Sequence, residues 1–118
     1  MAQLASHTIH QEPGVPVIDL GHLARMTFGD RSLEREVLQL FDRQAELLLA
    51  RMRGGAPPAI AALAHTLRGS AAGIGADNVA HAAQAVEQAG NAERLAAMDT
   101  LDAAIVEARA AIDELLHD

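Results

Sequence analysis

AHTLRGSAAGIGA, residues 64–76, is the stretch whose reading decides the fold. Counted at 3.6 residues per turn, it sets Ala64, Leu67, Ala71 and Ile74 on one stripe, which Ile60 and Leu63 extend upstream. A stripe of this kind belongs to a helix with one face in a core. His65 lies off the stripe. On the imidazole's own flank stand Ala61, Arg68, Gly69 and Ala72, at i−4, i+3, i+4 and i+7, so that together they make one continuous surface. Everything beside the histidine is small except one cation. Gly69 is the informative residue, because glycine inside an exposed helix costs about 1 kcal/mol relative to alanine and nothing here calls for a bend. Close approach of a large partner explains it. Arg68 would then lie beside whatever anion arrives, and its planar fork suits phosphoryl or carboxylate oxygens. The surface reads as an exposed nucleophile facing an anionic electrophile.

Working outward, the helix carrying His65 is expected from about Pro57 to Ile74, with two prolines in its first turn and Gly75 as the residue past its end. Upstream, residues 31–53 keep helical period through Leu33, Val37, Leu40, Phe41, Gln44, Leu48 and Met52, which are expected to face the core. Leu38, Ala45 and Leu49 form a second line, read either as a broadening of that core face or as a docking strip for a partner. Gly54 and Gly55 end this helix. Asp19 is placed to cap a short helix of about residues 19–26, a lid across the bundle, which Gly29 ends before Asp30 caps the long helix. Downstream, a helix of about residues 77–90 turns Val79, Ala82, Ala83 and Val86 inward. Asn91 is expected to cap a last helix, about residues 92–117, through Met98, Leu101, Ile105, Ala108, Ile112 and Leu115. Four helices on short connections make an antiparallel bundle. The expected fold is therefore all-α, an antiparallel four-helix bundle with a short additional N-terminal helix. Residues 1–15, punctuated by Pro13 and Gly14, read as a flexible leader, and 16–118 as the helical domain.

Composition agrees. A chain of 118 residues suits one domain and one core, burying roughly 65% of its unfolded surface. Half of it is hydrophobic, much of that alanine, and its only aromatics are two phenylalanines, which favours closely packed helices over a sheet. With no cysteine, disulfides, thiol catalysis and cysteine metal sites are excluded. The net charge is −7 and is concentrated after residue 76, so a nucleic-acid partner is not expected. No run approaches the ~18 apolar residues of a membrane span, and the N-terminus lacks the basic start and apolar core of a secretory signal. A cytoplasmic, monomeric protein is expected, and the initiating methionine together with an end just after the last helix favours a free-standing one.

The motif resembles the signature of the histidine phosphotransfer (HPt) domains of two-component phosphorelays, approximately HxLKGSxxxxGA, against HTLRGSAAGIGA here. His65, Leu67, Gly69, Ser70, Gly75 and Ala76 match at the family's spacing. Arg68 replaces the usual lysine and Gly73 a commonly larger residue. From about Asp19 onward the resemblance continues as a pattern of helices. It implies that His65 is the phosphorylated nucleophile, attacking through Nε2, with Arg68 stabilising phosphoryl charge and Gly69 giving the partner access. It implies further that the partners are response-regulator receiver domains and a hybrid histidine kinase, and that Mg²⁺ belongs to the receiver. No cofactor of the chain's own is expected, which agrees with the lack of a nucleotide-binding loop.

Ser70 is expected to bond a carbonyl of the preceding turn. Glu87 and Gln88 are candidates to orient the imidazole, a role that needs an approach of about 3 Å. His22, His81 and His117 read as ordinary solvated side chains, and His7 with His10 is too small a set to hold a metal. An ATP-using histidine kinase would need a nucleotide-binding domain and an acid after its histidine, where Thr66 stands. The remaining alternative is a non-catalytic helical adaptor that binds signalling proteins, but it gives no reason for keeping both His65 and Gly69.

Overall fold

The computed structural model describes residues 17–117, which form five helices and, among the described residues, no strand. They are α1 (Leu20–Met26), α2 (Arg31–Arg53), α3 (Pro57–Gly73), α4 (Asp77–Gln88) and α5 (Arg94–Leu116). The leader expected over 1–15 lies outside the described residues. Each of α2 to α5 packs on its neighbours in the chain, and α5 closes the ring on α2. Ion pairs fix the direction of that closure: Arg109 meets Asp42 at 2.8 Å, while Arg53 meets Asp102 at 2.7 Å, so α5 descends as α2 rises. The four long helices thus form an antiparallel bundle, as expected, with α1 added at one end.

Local chemistry accounts for the boundaries. Asp19 and Asp30 accept from the backbone N–H groups of His22 and Leu33, capping α1 and α2. Pro57 and Pro58 open α3. Gly75, at φ 82°, takes the left-handed position beyond α3, and the Ala76 N–H reaches back to the Ala71 carbonyl at 2.8 Å. At the end of α1 that left-handed position falls to Phe28, at φ 57°, with Gly29 following it at φ 72°. The last helix begins differently from expectation. Asn91 caps no backbone group; its side chain accepts from Arg94, while the Glu93 carboxylate folds back onto the Gly90 N–H and α5 starts at Arg94.

The core lies along the bundle axis. Ile60, Ala64, Leu67, Ala71 and Ile74 are buried as expected, Leu63 is half-buried, and Val79, Ala82, Ala83 and Val86 meet them from α4. Truncating a fully buried leucine such as Leu67 to alanine would cost about 2–5 kcal/mol. On α2 the buried line is Leu38, Phe41, Ala45, Leu48 and Met52. This rotates the expected stripe: Leu38 and Ala45 belong to the core and are not a docking strip, while Leu40 points out, 59% exposed. The reason is close approach. Ala45 is wholly buried, and a residue of that size at the contact line lets neighbouring helices come in where a leucine would hold them off.

α1 spans the end of the bundle where α3 stops and α4 begins. It buries Leu23 and is preceded by buried Ile18. The Asp19 N–H donates to the Gly75 carbonyl at 2.9 Å, and at its other end the buried Thr27 hydroxyl donates to the Leu23 carbonyl at 2.8 Å.

Candidate functional site

The site is built on the outer flank of α3 where it faces α4. Because Ala64 and Leu67 hold one side of α3 in the core, the neighbouring positions at 65 and 68 are turned to the seam between the two helices. On α4, Val79, Ala83 and Val86 are the buried anchors, and the same geometry turns Glu87 to that seam from the other side. Small side chains keep the two axes close. The result is a cluster of three: the His65 Nδ1 lies 2.9 Å from Glu87 Oε2, and Arg68 Nε lies 3.3 Å from Glu87 Oε1. Glu87, which sequence reasoning could only pair with Gln88 as a candidate, is thus in contact with the imidazole. Gln88 is turned away, lining a shallow groove between α4 and α5.

Hydrogen-bonding capacity assigns the ring. Arg68 Nη2 also stands 2.9 Å from His65 Nδ1, and one ring nitrogen cannot donate to a carboxylate and accept from a guanidinium together. A carboxylate is acceptor-only, so its 2.9 Å approach to Nδ1 needs a hydrogen on that nitrogen, whereas the Arg68 guanidinium has the Glu87 carboxylate beside it as another acceptor. Nδ1 therefore carries the hydrogen and gives it to Glu87. Arg68 is held beside the ring by its charge on Glu87; its buried Nε is not aligned for a hydrogen bond of its own. With the proton on Nδ1, the lone pair is on Nε2. The histidine side chain is 62% exposed, so this nitrogen faces solvent.

Access is open. Gly69 is exposed one turn beyond His65, and a Cβ placed there would meet nothing within 4 Å. The same holds at Gly73. Ala72 is exposed and Ala61 half-exposed, so the neighbouring positions on this flank of α3 are small apart from Arg68. Ser70 is half-buried, and the hydroxyl-to-carbonyl bond of this helix is made by Thr66, which donates to Ala62 at 3.2 Å. The arrangement offers a nucleophilic nitrogen, a proton-holding carboxylate behind it and a guanidinium at its side.

The other histidines are elsewhere. His81 is exposed on the α4–α5 groove, His117 bonds the Asp113 carbonyl at the end of α5, and His22 is half-buried on α1. Among the described residues no group of three or more His, Asp or Glu side chains could hold a metal ion, and no helix is long and apolar enough to cross a membrane. Both His7 and His10 lie outside the described residues.

In comparison with known proteins, the family model described as the Hpt domain aligns with residues 33–117. No curated protein and no solved structure matched significantly.

Proposed function

Because the chain belongs to the Hpt domain family, the histidine phosphotransfer proteins of phosphorelays, we propose that it carries a phosphoryl group on His65, taken from an aspartate of one response-regulator receiver domain and passed to an aspartate of another. The observation that carries this reading is the 2.9 Å contact between His65 Nδ1 and Glu87, with the other ring nitrogen left open to solvent.

In the forward step the Nε2 lone pair attacks the phosphorus of an aspartyl phosphate. The N–P bond forms as the P–O bond to the aspartate breaks, and the departing electron pair restores the aspartate carboxylate. The ring gains positive charge as it attacks, and Glu87, already bonded to the Nδ1 hydrogen, stabilises that charge without moving. Arg68 reaches the phosphoryl oxygens from the side. The reverse sequence delivers the group to the second receiver. Transfer of this kind depends on alignment and charge, and both partners' geometries matter: this chain supplies a fixed imidazole, and by family resemblance the receiver supplies Mg²⁺ and the acidic pocket. A hybrid histidine kinase is the proposed origin of the phosphate. The chain itself is a carrier and makes no use of ATP.

The test is to mix the chain with a phosphorylated receiver and look for acid-labile, base-stable phosphate on it. Label is expected on the native chain and absent from His65→Gln, which should fold normally because the side chain is exposed. Label retained by the variant would move the phosphoryl group off His65. A native chain that accepts no label from any receiver of the same cell would favour the adaptor.

A further inference from the structure

An open groove follows the seam between α4 and α5. Two shallow depressions of about 520 and 470 Å³ lie end to end along it, joined at Ala85 and Thr100, which line both. Alanine makes most of the lining: Ala82, Ala85 and Ala89 on α4 stand against Ala97, Ala103 and Ala104 on α5. Methyl groups are too short to fill the valley between two helix cylinders, and Ala85 and Ala103 are exposed in consequence. The groove is as long as α4, whose 12 residues span about 18 Å at 1.5 Å per residue.

Spacing and charge say what fits there. The walls repeat every seven residues, Ala82 with Ala89 on α4, and Ala96 with Ala103 and Ala97 with Ala104 on α5, which is the period at which an added helix keeps one apolar edge on its neighbours. The rim is acidic. Beyond residue 76 the chain holds nine Asp and Glu against two arginines, and both arginines are engaged: Arg94 donates to Asn91 and to the Ala89 carbonyl, and Arg109 pairs with Asp42 and Glu46 of α2. Glu93 lines one end of the groove and Glu107 the other, and Asp99 is exposed between them. Among the described residues no ion pair within the chain uses any of these three, and His81 is the only basic side chain in the lining. We propose that this groove binds an amphipathic helix of a partner protein, one that sets aliphatic side chains into the alanines and carries lysine or arginine along both flanks. Residues 1–16 contain neither lysine nor arginine and so do not match the rim.

A helix seated in the groove does not cover the phosphoryl site. Glu87 meets His65 on the side of α4 that faces α3, whereas the groove lies on the side that faces α5, so the partner can stay bound while the imidazole is in use. The proposal therefore stands independently of the phosphotransfer reading. Its contact area is small, so the association is weak, and the charged rim makes it weaken further as salt rises.

The probe is a synthetic helical peptide of about three heptads, with leucine at its two apolar positions and lysine at the flanking ones, and its control is the same peptide with glutamate in place of lysine. Titrated against the full chain at low salt, the lysine peptide should bind one to one with a Kd of roughly 1–100 μM, and the glutamate peptide should not bind. Amide shifts should move at Ala85, Thr100 and Ala103 and stay still at Thr66 and Gly69. Ala85→Gln and Ala103→Gln each place a longer side chain in the groove and should abolish binding, while Glu107→Lys should raise the Kd about tenfold or more. All three positions are exposed, so unchanged thermal unfolding will show that the variants are folded. Failure of the lysine peptide to saturate would overturn the proposal, as would equal binding of the two peptides, native affinity in both glutamine variants, or shifts centred on α2 and α3. A two-chain mass in sedimentation without peptide, lost on Ala103→Gln, would assign the groove to a second copy of the chain instead.

Discussion

Substitution of Gly69 separates the reason for the glycine from its effect on the fold. It occupies the interior of α3, exposed, with no positive φ, and a Cβ there would meet nothing within 4 Å. The whole helix-propensity difference is therefore available, and Gly69→Ala should stabilise the chain by up to about 1 kcal/mol. For a domain of roughly 100 ordered residues that is a rise of about 4–8 °C in Tm. The rate of phosphoryl transfer should move the other way, since even one methyl group stands one turn from the imidazole on the path a receiver must take. Gly69→Leu should come close to stopping transfer while remaining folded. Thermal or urea unfolding gives the first quantity, and the time course of label leaving a phosphorylated receiver gives the second. Transfer at the native rate by the leucine variant would refute the steric account. Loss of stability in the alanine variant would show that the helix depends on the missing side chain, against the open space around it.

Arg68→Ala should slow transfer without abolishing it, because the guanidinium offers charge and forms no covalent bond; an unchanged rate and an unchanged phosphohistidine lifetime would leave it facing solvent only. Glu87→Ala should release the imidazole tautomer, which ¹⁵N shifts of the ring would report, and slow transfer, while Glu87→Gln, whose amide oxygen still accepts from Nδ1, should keep the tautomer and recover part of the rate. Gly75→Ala should destabilise by about 2 kcal/mol or more, measured by unfolding, since the left-handed φ is strained for alanine and its Cβ would lie 2.8 Å from the Asp19 carbonyl oxygen. Two glycines of one motif thus carry opposite signs.

What could be read from the sequence follows from what each element's own residues decide. His65, Arg68 and Gly69 share a face by helical spacing alone, so their grouping needed no structure. The caps at Asp19 and Asp30 and the prolines that open α3 are likewise local signals. α2 was harder, because leucines at 33, 38, 40, 47, 48 and 49 offer more than one apolar stripe, and the choice is made by neighbours: buried Ala45 sets where α3 and α5 come in. Glu87 against Gln88 is a matter of which side of α4 abuts α3, a fact about two helices. The contact between Gly75 and Asp19 joins residues far apart in the chain, and no local pattern announces it. Asn91 was misread since a polar residue before a helix is a capping signal, yet here the Glu93 carboxylate bonds the backbone of that turn.

The bond from the Asp19 N–H to the Gly75 carbonyl makes α1 a latecomer. Its anchor exists only once α3 has ended in the left-handed turn at Gly75, so the seven-residue helix cannot seat on the bundle until the histidine helix has closed. Little else fastens it: one buried leucine within, one buried isoleucine before, and the Thr27 hydroxyl at its end. In hydrogen exchange the amides of α1 should open as one unit well before those of α3 around Leu67, and the Asp19 amide should time that departure. The bundle would then be seen to persist for a while with its end uncovered, holding the imidazole in place throughout.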